Sequence, residues 1–105
     1  MNHEPHGLVR RLVGGDAGAE ADVVALARAG TDDVPVLVAA AVVAHDVVLL
    51  DAAAGLARQP RDRQLTALGR ALLDADVDLF DALVRDHLAT YPDQLLAAWL
   101  AARPR

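Results

Sequence analysis

Few side chains in this sequence can do chemistry, and the histidines come first. His87 lies between Val84 and Tyr91 on the apolar face of a predicted helix. A general base there needs an orienting acid within reach. Asp86, its neighbour in sequence, points to another side of the helix. The spacing therefore makes His87 a core or groove histidine that bonds to a neighbouring carbonyl. His45, beside Asp46, reads the same way in a turn. Met1-Asn2-His3 could hold copper or nickel in a square plane of amine, amides and imidazole, and His3 with His6 is a weak metal pair with only Glu4 nearby. The run Asp74-Ala75-Asp76-Val77-Asp78 imitates the start of a calcium loop, but the glycine and glutamate positions fall on Leu79 and Arg85. Asp78 is instead expected to cap a helix, with Asp81 as an acid in its first turn. No catalytic residue, metal or cofactor is expected.

Arginine supplies the second group. Arg58, Arg61, Arg63 and Arg70 gather around one turn and the helix after it, where Arg58 can answer a helix C-terminus. Arg63, Thr66 and Arg70 share one helix face, away from the leucine stripe. On the inner surface of a helix stack, Arg63 and Arg70 could hold a carboxylate from a protein partner. Trp99 and Leu100 belong to the last predicted helix. With no following helix to cover that stripe, Trp99 is either a cap on the preceding pair or an anchor in a dimer or partner interface.

Absences narrow the field. The sequence contains no cysteine, serine or lysine, and all ten basic residues are arginine. Thiolate and serine nucleophiles, Schiff bases and a phosphate-loop lysine are excluded. The dominance of alanine, valine, arginine, aspartate and glycine fits a GC-rich bacterial genome. A net charge of −5 disfavours nucleic acid. Val36 to Ala57 looks apolar enough for a membrane, but His45, Asp46 and Asp51 interrupt it, and each aspartate would cost about 2.5–3.5 kcal/mol at the bilayer centre. No export leader is recognised, so a cytoplasmic location is expected.

These groups must be positioned by helices. Pro5 suits a first turn, followed by Leu8, Leu12 and Val13, and Gly14-Gly15 stops that helix. Asp16 is expected to open the next one and Gly30 to end it. Thr31-Asp32-Asp33 with Pro35 starts another. Between Val36 and Leu50 the valines favour a strand, whereas the alanine triplets and a cap at Asp46 favour two helices about a turn at Ala44-His45, and helix is the reading taken. Further helices are predicted over Arg61 to Asp74, Asp78 to Thr90 and from Pro92 onward. Short connections make neighbours antiparallel. Pro60 and Pro92, and likewise Asp46 and Asp78, are 32 residues apart (92 − 60, 78 − 46), which suggests repeating helix pairs.

The segment Leu65 to Pro92 resembles a tetratricopeptide repeat. Leu65, Leu68-Gly69 and Leu72 match its first helix, and Val84, Leu88 and Pro92 match the second helix and its exit. Gly69 lets a partner helix approach closely. Phe80 and His87 stand where the family usually has alanine, the turn near Ala75 is one residue short, and the first thirty residues do not match. The resemblance implies a partner-binding scaffold, although the lysine and asparagine of its carboxylate-binding grooves are missing. The sequence thus predicts one all-α domain over residues 1–105, an antiparallel helix-pair stack of about seven short helices. Its expected function is non-catalytic protein–protein interaction through Arg63, Thr66, Arg70, Trp99 and Leu100. The partner would be acidic or carboxylate-terminated, or a second copy forming a homodimer, with no nucleic acid and no membrane. The alternative is a small helical regulator or sensor that binds a metal or small ligand near His87 or His45.

Overall fold

The computed structural model describes residues 5–103, with side chains from Gly7 onward. Among them are seven helices and no strand: α1 (Pro5–Val13), α2 (Ala19–Arg28), α3 (Val34–Ala44), α4 (Val47–Leu56), α5 (Pro60–Leu73), α6 (Val77–Thr90) and α7 (Leu95–Ala102). The stretch open to a strand reading is two helices. Asp33 caps α3 by accepting from the Val36 N–H at 3.0 Å, and Asp46 caps α4 by accepting from the Val48 N–H at 3.0 Å. Each cap satisfies a donor that the first helical turn leaves without an intrahelical partner.

Helix α3 has no polar side chain, and eight of its eleven residues are buried. A helix apolar all round must be surrounded. It is packed by α1, α2, α4 and α5. Gly69 allows α5 a close approach: a Cβ there would lie 3.0 Å from Val38 Cγ1 and 3.1 Å from Leu50 Cδ1. The helices brought close by this glycine are α3 and α4.

The starts of α3, α5 and α7 (Asp33, Arg61, Leu95) line one cavity, and their ends (Val42, Leu73, Arg103) line another. These three helices therefore run side by side in the same direction. Each odd-numbered helix also touches the next, and α7 touches α1, so the odd helices close an inner ring with α2, α4 and α6 outside it. The α7 stripe of Leu96, Ala97 and Leu100 is consequently buried, not left open as expected.

The turns recur more regularly than the prolines. Gly15, His45 and Ala75 adopt left-handed φ values of 84°, 50° and 57°. The aspartate after each donates its N–H to a carbonyl five residues back, Asp16 to Arg11, Asp46 to Ala41 and Asp76 to Ala71, at 2.9–3.0 Å. This is a helix stop closed by a Schellman-type bond. The spacing is 30 residues (46 − 16, 76 − 46), not the 32 suggested by the prolines. Buried positions repeat with it: Leu8, Val38 and Leu68, and then Ala27, Ala57 and His87.

Three predicted helix starts move. Asp76, not Asp78, caps α6, accepting from the Leu79 N–H at 3.2 Å, because the chain leaves its left-handed turn at Ala75. Asp16 belongs to the turn before α2, where it accepts from the Gly18 N–H at 2.9 Å. Pro92 lies in the turn before α7, whose N-cap residue is Gln94.

Two stability predictions follow from this backbone. Ala75→Gly should raise the urea midpoint by roughly 1 kcal/mol equivalent, because glycine removes the left-handed Cβ penalty, and Gly15→Ala should lower it similarly. Gly69→Ala should lower it despite gaining about 1 kcal/mol of helix propensity, since overpacking a filled core costs about 1–3 kcal/mol.

Candidate functional site

The residues predicted to bind a partner do not form one surface. Arg63 is exposed, and its guanidinium has no hydrogen bond or ion pair among the described residues. Arg70 is occupied within the chain, donating to Asp51 of α4 at 2.9 Å. Thr66, between them, is buried and donates its hydroxyl to the Asp62 carbonyl at 2.8 Å. The shared face therefore leans into the outer helix layer. Leu100 is fully buried and has no surface to offer. Trp99 is half-buried against the core, with the Arg103 guanidinium 4.6 Å from its ring centre. Arg58 does answer its helix end, donating to the Gly55 carbonyl at 2.7 Å.

His87 is the buried polar group of α6. Its Nδ1 lies 2.9 Å from Gln64 Oε1, and its ring centre lies 5.1 Å from that of Tyr91. Arg61 sits over the other side of this cluster, 5.4 Å from the Tyr91 ring centre, and donates to Gln94 at 3.2 Å. A neutral ring donating from Nδ1 leaves Nε2 buried without a hydrogen-bond partner. Burial pushes the imidazole below its ordinary range, and nearby Arg61 pushes it further the same way. The carbonyl partner of His87 is the Gln64 side chain.

No group of three or more histidine and acidic side chains comes together among the described residues. Met1-Asn2-His3 and the His6 side chain lie outside them. No helix among the described residues is long and apolar enough to cross a membrane.

The more informative surface is the end where α3, α5 and α7 stop. A cavity of about 290 Å³ opens there between the α3–α4 and α5–α6 turns. Val42, Leu72 and Phe80 line its floor, with His45, Asp76 and Arg103 as its polar groups. Val77 both lines this cavity and stands 46% exposed. Val47, Val48 and Leu79, on the first turns of α4 and α6, are 49%, 70% and 48% exposed. Val77 thus joins the cavity to exposed apolar surface at the start of α6, and His45, in its lining, closely precedes Val47 and Val48 in sequence. These residues were missed because apolar side chains just after a cap resemble core. A signal was present in the repeated Asp-Val pairs at 46–47 and 76–77.

Comparison with protein-family models, curated proteins and solved structures found no match to this chain.

The depressed His87 titration sets a pH dependence. Below about pH 6.5 the unfolded chain binds a proton that the folded state resists. Stability is therefore expected to be complete above that pH and to fall as pH drops toward the lowered folded value. Urea melts between pH 7.5 and 5 should show this loss in wild type and a flatter profile in His87→Leu.

Proposed function

We propose that this chain is a non-catalytic protein-interaction module that meets its partner at one end of its helix stack. The clustering of exposed large apolar side chains supports the reading. Among the described residues, Val47, Val48, Val77 and Leu79 are exposed on the first turns of α4 and α6, at the end that carries the cavity, while Leu56 and Leu95 are exposed elsewhere. Exposed apolar surface gathered at one end of a molecule marks association sites. The tetratricopeptide-like reading is compatible with such a role, since stacked helix pairs commonly serve as binding scaffolds. Contact on this chain shifts from the α5 face to the stack end, because Arg70, Thr66 and Leu100 are already engaged inside the molecule. A cytoplasmic partner protein remains the expected target, and a second copy of the chain is the other candidate.

The cavity beside His45 favours one second reading, a sensor that holds a small ligand there. Ligand-induced thermal stabilisation would separate it from the first.

The test compares wild type with two variants in pull-downs from the source organism's lysate. One is Val48→Asn/Val77→Asn at the stack end, and the other is Arg63→Ala/Arg70→Ala. All three should share one far-ultraviolet dichroism spectrum. A stoichiometric partner, recovered by wild type and by the arginine variant, is expected to fall at least about tenfold with the valine variant, as loss of a central apolar anchor usually costs more than about 1.4 kcal/mol. Equal recovery by the valine variant would move the contact elsewhere, and sedimentation equilibrium would reveal a second copy as the partner.

A further inference from the structure

We infer that the partner of this stack end is a basic amphipathic segment, one that places a large apolar side chain in the cavity between the α3–α4 and α5–α6 turns and arginine or lysine over the aspartates around it. The inference rests on the stack end being the contact surface. It adds the chemistry of what binds there.

Three observations combine. The cavity holds about 290 Å³ and is floored by Val42, Leu72 and Phe80, a space suited to one or two large side chains and not to an extended ligand. Val77 lines it and is itself exposed, and Val47, Val48 and Leu79 are exposed on the first turns of α4 and α6, the helices that follow the two turns bounding it. A partner side chain in the cavity, with these apolar residues at the same end, would act as an interface anchor beside contacts that exclude water.

The third observation is charge. Asp74, Asp76 and Asp78 are exposed along the α5–α6 turn, and Asp46 stands at the α3–α4 turn. Asp46 and Asp76 answer the positive N-termini of α4 and α6, each accepting a backbone N–H of the first turn. Arg28 approaches Asp46 to 3.7 Å. The Arg103 guanidinium in the cavity lining is drawn over Trp99. Asp74 and Asp78 have no ion pair or side-chain hydrogen bond among the described residues, so the surplus at this end is negative. A second copy related by a two-fold axis would set these aspartates against themselves, which like-charge repulsion opposes. Anionic membrane surfaces and nucleic acid meet the same repulsion. A helix with apolar anchors on one face and basic residues beside them satisfies both surfaces at once.

The experiment selects a displayed library of random 12-residue peptides on the immobilised full chain and on two folded variants, Val77→Asn/Leu79→Asn and Asp74→Asn/Asp78→Asn. Wild type should enrich peptides that combine an aromatic or leucine anchor with an excess of arginine and lysine. Synthetic copies of them should bind at least tenfold more weakly to Val77→Asn/Leu79→Asn. On Asp74→Asn/Asp78→Asn the anchor preference should persist while the basic excess disappears. Raising the salt to about 0.5 M should likewise weaken wild-type binding several-fold. Enriched peptides that lack basic excess, or keep it on the aspartate variant, would overturn the charge inference while leaving the stack end as the contact surface. Equal binding to Val77→Asn/Leu79→Asn, or no enrichment on wild type, would overturn both.

Discussion

The burial of α3 is the constraint on which the rest of the molecule depends. No side of this helix can face water without exposing valine, leucine or alanine, and each large side chain left exposed would forfeit roughly 1.5–3 kcal/mol. Its neighbours must therefore cover it from several directions, and the ring of odd helices with an outer layer does so. Gly69 is the local condition for that cover. A glycine inside a helix is normally a weakness. Here it lets α5 lie against Val38 and Leu50 at a distance no other residue would permit without displacement.

Much of this was legible locally. The caps at Asp33 and Asp46, the stops at Gly15 and Gly30, and the division of α3 from α4 at His45 all rest on residue types with strong positional meaning. The start of α6 was not legible in the same way. Its displacement from Asp78 to Asp76 follows from a left-handed alanine, a residue that gives no such signal. Ring closure was out of reach for a different reason. The contact between α1 and α7 joins the two ends of the described chain, and local periodicity specifies which face is apolar but not which helix will cover it. Thr66 and Leu100 illustrate the consequence: Thr66 was placed on a face away from the leucine stripe and Leu100 on a stripe without a following helix, and both are buried.

The three left-handed turns link the fold to its candidate site. Each ends an inner helix with the same pair of backbone bonds and passes the chain to an outer helix through an aspartate. In the first turn Arg11 binds both Asp16 and Asp22 at 2.9 Å, which holds the Asp16 carboxyl below its ordinary range and covers the acid with a cation. The later turns lack that arginine: alanine stands at 41 and at 71. One repeated device thus yields a charge-satisfied turn at the first position and acid-bearing turns, followed by exposed valines, at the second and third.

Closure of the inner ring then determines what surface is left for recognition. In an open stack the inner helices present a concave face to a partner. Here α7 meets α1, and Leu8, Leu68 and Leu96 fill the space that such a face would enclose. The outer helices offer alternating polar positions and a few ion pairs, of which the exposed Asp51–Arg70 pair adds little affinity for anything else. Both ends carry a recess. One end mixes polar and apolar groups, with Arg61 already bonded to Gln94 and Leu95 exposed in its recess. The other keeps its apolar side chains exposed beside a cavity, and burying them is worth most when a partner supplies the missing cover. The proposed recognition at that end is thus the counterpart of a core that buries its inner helices.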